Sequence, residues 1–106
     1  MNFNITIDDE SYTLEVKDEL IQELQSVHSD MDAEYDRGLQ LGRYWIDEPS
    51  DEQRCQLVAS KVESAIHMEN IREFYLMASY ILKKFPTLKM VTISSDFEVS
   101  DIDFEV

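Results

Sequence analysis

The stretch Asp30–Ile46, DMDAEYDRGLQLGRYWI, holds both glycines of the chain, its single tryptophan and its densest alternation of carboxylates. Read at about 100° per residue, Met31, Tyr35, Gly38, Leu39, Gly42, Trp45 and Ile46 share one apolar stripe, with Asp32, Asp36, Gln40 and Arg43 opposite. Glycine inside a helix costs roughly 0.5–1 kcal/mol against alanine, so two on one face imply close approach of another helix. The same letters put Asp30, Asp32 and Glu34 at positions one, three and five of a calcium loop. Tyr35 stands where that loop needs glycine, however, and Leu41 where it needs a bidentate carboxylate. The stretch therefore reads as a helical packing surface.

N-terminal to it, Leu20, Ile21, Leu24 and Val27 repeat at helical spacing from Asp18 to about His28. Ser29 and Asp32 form an imperfect capping box, so Asp18–Ile46 reads as one helix or two. Further back, Phe3, Ile5 and Ile7 alternate with polar residues, as do Tyr12, Leu14 and Val16, the signature of a hairpin. Its connection, Asp8-Asp9-Glu10-Ser11, has no glycine and suggests a four-residue loop on a type I turn.

C-terminal to it, Asp47-Glu48-Pro49-Ser50 marks a boundary, and Ser50 with Gln53 predicts a capped helix over about Asp51–Met68. Cys55, Val58, Ala59, Val62, Ala65 and Ile66 give that helix a small-residue face, the expected mate of Gly38 and Gly42. Ile71–Phe85 predicts a last helix, ended by Pro86, with a core stripe of Ile71, Phe74, Tyr75, Ala78, Ile81, Leu82 and Phe85. Leu76 and Tyr80 fall on its far side and Met77 at the border, a surplus that either a second layer or a partner must cover. Residues 88–94 read as an inner strand. Phe97 and Val99, then Ile102, Phe104 and Val106, point inward along an edge strand or two short ones.

At 106 residues the chain is the size of one domain, 1–106. The expected fold class is α+β: an antiparallel sheet from N-terminal and C-terminal hairpins, covered on one face by three or four helices. The net charge of −14 is concentrated at the ends. Asp8, Asp9, Glu10 and Glu15 at one end, and Asp96, Glu98, Asp101, Asp103 and Glu105 at the other, have no base among them. This field excludes direct nucleic-acid and anionic-membrane binding and favours a basic partner. The lone Cys55, with no apolar leader and no spanning segment, makes the cytoplasm the expected compartment.

No motif identifies an active site. Two glycines four apart in a helix cradle no phosphate, one cysteine and two histidines cannot build structural zinc, and Cys55 falls on an apolar stripe where a thiol is inert. No cofactor and no metal is implied. The expected function is a small acidic protein–protein interaction module without catalytic activity, a homodimer whose candidate interface is Tyr44, Leu76, Met77 and Tyr80. One alternative is an acidic inhibitor or nucleic-acid mimic, using the nine terminal acids against a basic partner protein. The other is a metal-dependent enzyme using Asp30–Asp36.

Overall fold

Alternating residues at the start of the chain form β1 (Asn2–Ile7) and β2 (Glu10–Glu15), paired antiparallel with Phe3 opposite Leu14 and Ile7 opposite Glu10. The computed structural model describes residues 1–96 and 98–106. The hairpin loop is two residues, not four, and Asp8 takes a left-handed φ of 55°. Aspartate is among the few residues that tolerate this region. Asp8 is also anchored: its amide donates to the Ile93 carbonyl, and its carboxylate accepts from the amide and hydroxyl of Ser95.

The chain then forms α1 (Asp18–Glu23), breaks at Leu24, and continues as α2 (Gln25–Tyr35). Here the opening stretch departs from its sequence reading. Gly38 (φ 107°) ends the helical run and Gly42 (φ 60°) opens a two-residue turn, so both glycines serve turns and neither lies in a helix. Between and after them lie β3 (Leu39–Leu41) and β4 (Tyr44–Ile46), paired with Leu41 opposite Tyr44. A positive φ at Gly42 but not at Arg43 is the pattern of a type II′ hairpin turn.

Ser50 and Gln53 close a full capping box on α3 (Asp51–His67), and Asn70 caps α4 (Ile71–Lys84). The small-residue face of α3, from Cys55 to Ala65, is buried, but α3 makes its most extensive contact with α4, not with the glycines. The chain closes with β5 (Met90–Ile93), a 3-10 turn at Val99–Asp101, and β6 (Asp103–Glu105). The reading of Phe97 lies outside the described residues.

The four-stranded sheet has the order β2-β1-β5-β6. It unites both terminal hairpins and completes the α+β fold, with helices packed against the face that carries the fully buried Phe3, Ile5 and Val91. Its central junction is parallel, with Ile5 opposite Val91, so the sheet is mixed where an antiparallel one was expected. Parallel neighbours require a long crossover, and the four helices between β2 and β5 supply it. The other sheet face carries Asn4, Thr6, Thr13, Thr92, Glu15, Asp103 and Glu105, as the registers require.

Candidate binding groove

α4 is buried on all sides over one and a half turns, where Met77, Ala78, Ser79, Tyr80, Ile81 and Leu82 are all inaccessible or nearly so. The layer over the far side is α2. His28 and Tyr35 each meet the Tyr80 ring edge to face, at centroid distances of 5.8 and 6.2 Å. A polar clamp locks the same contact. Asp32 of α2 accepts from the Tyr80 hydroxyl (2.6 Å), from Arg54 of α3 (3.1 Å) and from Lys84 of α4 (2.9 Å). Arg54 also reaches Asp36 at 2.7 Å. Asp32 and Asp36, two of the four carboxylates of the opening stretch, are thus spent on holding three helices together. Among the described residues, no group of three or more His, Cys, Asp or Glu side chains is placed to hold a metal ion, and no helix is long and apolar enough to cross a membrane.

His28 is fully buried, and its Nε2 lies 2.9 Å from the Ser79 hydroxyl. That hydroxyl commits its one proton to the Leu76 carbonyl (2.8 Å), so His28 donates through Nε2 at this contact. Burial, and then the positive charge of Lys83, push its pKa below 6.5, against the opposing pull of the Leu76 carbonyl and Asp32. For Asp32 burial acts upward, but the hydrogen bonds from Tyr80, Lys84 and Arg54 outweigh it and hold the carboxyl below 3.8. The two groups give acid instability of the same sign by different routes. The unfolded chain protonates its histidine before the folded one does, so stability falls as pH drops below about 6.5. The Asp32 contribution is complete above the unfolded carboxylate range and is lost as pH falls through its lowered folded value. The melting temperature is therefore expected to decline in two stages between pH 7 and 3, and His28→Leu to flatten the upper one. An unchanged melting temperature from pH 7 to 5 in the parent chain contradicts the assignment.

The N-terminal half of α4 is covered much less. Ile71 is 66% exposed and Val27 38%. Leu20, Leu24 and Val27 form one wall and Ile71, Arg72, Tyr75 and Leu76 the other of an open, almost wholly apolar groove of about 450 Å³. The walls follow from helical spacing: Leu20, Leu24 and Val27 stay on one side despite the break at Leu24, and Ile71 and Tyr75 are one turn apart. On the far side of Leu20 and Tyr75 lies a second hollow of about 290 Å³, lined also by Glu15, Lys17, Glu19 and Glu23.

Of the four interface residues expected from sequence, Leu76 alone lines this groove. Met77 and Tyr80 belong to the core, and Tyr80 is covered there by α2. Tyr44 is 55% exposed on β4, with the Arg43 guanidinium 5.8 Å above its ring. The groove residues Leu20, Leu24, Val27 and Ile71 read as core in the sequence, since an apolar stripe looks the same whether its partner is present or absent. The terminal acids divide into separate groups. Asp8, Asp9 and Glu10 sit at the hairpin turn, while Glu98 pairs with Arg43 and is capped with Asp101. Glu15 and the pair Asp103 and Glu105 lie on opposite edges of the sheet, three strand spacings or about 14 Å apart. These acids are thus distributed over the hairpin turn, the Arg43 contact and the two edges of the sheet. Comparison with protein-family models, with curated proteins and with solved structures finds no match for the chain.

Proposed function

We propose that the protein is a non-catalytic interaction module that docks a partner protein in the groove between α1 and α4. The observation that carries this reading is the groove itself: apolar side chains on two helices, open to water, with Ile71 two-thirds exposed at the lip. Soluble chains rarely leave contiguous apolar surface uncovered unless something binds there. Cys55 supports a structural and not a nucleophilic role, since burial pushes its thiol up to about 12, and a reducing cytoplasm suits an unpaired cysteine. The charge of −14 weighs against nucleic acid and anionic membrane as partners. It also disfavours a second copy, whose own Glu15, Glu19 and Glu23 would be brought toward this acidic margin.

A photoreactive phenylalanine at Ile71, in the full chain exposed to its native cell extract, tests the reading. The expected result is a discrete heavier adduct, reduced at least tenfold by Val27→Arg and absent when the photoreactive group replaces Thr13 on the open sheet face. Equal adducts from both positions, or yields indifferent to Val27→Arg, overturn it. An adduct of twice the chain mass identifies the homodimer. Val27→Arg is a fair probe because it changes an exposed side chain, and its melting temperature is expected to stay within about 3 °C of the parent.

A further inference from the structure

We infer that the groove takes a basic amphipathic helix of the partner protein: apolar anchors seated between α1 and α4, with lysine or arginine side chains following them into the adjoining acidic hollow. The inference rests on the proposed docking function and specifies the chemistry of what docks.

The helical form follows from the backbone of the walls. Apart from Leu24 at the break, every lining residue lies within a helix whose amides and carbonyls bond along its own axis. An extended peptide binds by adding main-chain hydrogen bonds to a free strand edge, and none lines this groove. A helix satisfies its own backbone and needs from its host only an apolar trough, a common mode of peptide recognition. The dimensions agree. Leu20 to Leu24 on one wall and Ile71 to Tyr75 on the other each rise about 6 Å, which is the spacing of anchors at i and i+3 or i+4 on an opposing helix. The groove volume of about 450 Å³ accommodates a few large side chains.

The basic character follows from the charge around the trough. The hollow sharing Leu20 and Tyr75 with the groove has three glutamates, Glu15 from β2 and Glu19 and Glu23 from α1, against the single base Lys17. Arg72, on the α4 wall, is among the described residues the only charged one lining the groove proper. A helix lying in the trough thus meets carboxylates past Leu20 and Tyr75 and one guanidinium, Arg72, on the α4 wall, and the fit is complementary when its bases lie toward Glu19 and Glu23. The net charge of the whole chain steers such a segment inward from a distance and makes its capture salt-sensitive.

A random library of 16-residue peptides, selected on the immobilised full-length chain, tests this directly. The expected winners carry apolar residues at i, i+3 or i+4, and i+7, with Lys and Arg at least threefold above the library frequency on one flank. Selection on a folded Glu15→Gln/Glu19→Gln/Glu23→Gln variant should keep the apolar pattern and lose the basic bias. Winners with the apolar pattern but no basic bias, or a bias that survives the triple variant, overturn the inference and leave the docking reading standing. Winners with strictly alternating apolar residues overturn the helical form. Winners that match segments of this chain make a second copy the occupant and also overturn it. An absence of enrichment, or enrichment unaffected by Val27→Arg/Ile71→Arg, overturns the groove as a docking site altogether.

Discussion

Asp32→Ala is expected to destabilise the protein by about 3 kcal/mol, the value for breaking a largely buried ion pair by removing one partner. Its carboxylate is the point where α2, α3 and α4 meet, accepting from Tyr80, Arg54 and Lys84 at 2.6, 3.1 and 2.9 Å. The side chains of Arg54 and Lys84 are only 13% and 20% exposed. An exposed pair would be worth about 0–1 kcal/mol, but here truncation leaves two cations and a buried hydroxyl short of an acceptor. Arg54 keeps Asp36 and Lys84 keeps Asp51 at 3.6 Å, which sets the cost toward the lower end of the buried range. For a domain of this size that loss lowers the melting temperature by roughly 12–20 °C. Tyr80→Phe, which removes one of the three donors, is expected to cost about 1 kcal/mol. Urea unfolding of both variants provides the check, and an Asp32→Ala loss below about 1 kcal/mol would show the clamp to be ornamental.

The parts of this fold that could be read from sequence are those where local chemistry and final environment agree. Ser50 and Gln53 bond each other's backbones as a capping box does anywhere, and the strands from Phe3 to Val16 alternate because one face is core. The opening stretch misled because two periods fit the same letters. Leu39 and Leu41 are buried by a strand period of two, yet Tyr35, Leu39, Gly42 and Ile46 also recur at helical spacing. Two features favoured the hairpin: Gly42-Arg43 is a tight-turn pair, and the flanking Leu39-Gln40-Leu41 and Tyr44-Trp45-Ile46 are strand-length runs. The candidate site was less legible still. Whether Tyr80 or Ile71 ends up covered depends on where α2 lies, which is a tertiary fact with no local signature. The fold nevertheless divides the helices in a way that suits docking. α2 is fixed by Asp32 and by the buried pair His28 and Ser79, while α1 buries no residue completely and forms the less restrained wall.

Gly38→Ala is expected to cost about 3 kcal/mol, and Gly42→Ala only about 1, although both glycines have positive φ. The shared part of the cost is conformational, since an L side chain in the left-handed region loses roughly 1–2 kcal/mol. The difference is space. A Cβ at Gly38 (φ 107°) would lie 2.6 Å from Cζ2 of Trp45 and 2.9 Å from the carbonyl oxygen of Ile46. The indole gives way only by breaking its N–H bond to Asp47 (2.9 Å), and the carbonyl is backbone of β4 and cannot rotate away. Relief therefore requires β4 to move away from the helix end, an overpacking cost of typically 1–3 kcal/mol. At Gly42 (φ 60°) a Cβ meets nothing within 4 Å. Gly42→Leu should accordingly behave like Gly42→Ala, which separates an exposed turn glycine from one packed against a neighbouring helix. Denaturant unfolding followed by the fluorescence of Trp45, the chain's only tryptophan, reads both quantities at once. Gly38→Ala should alter the folded-state emission as the indole is displaced, and Gly42→Ala should leave it unchanged. Equal losses at the two positions would place the close contact elsewhere than under Trp45.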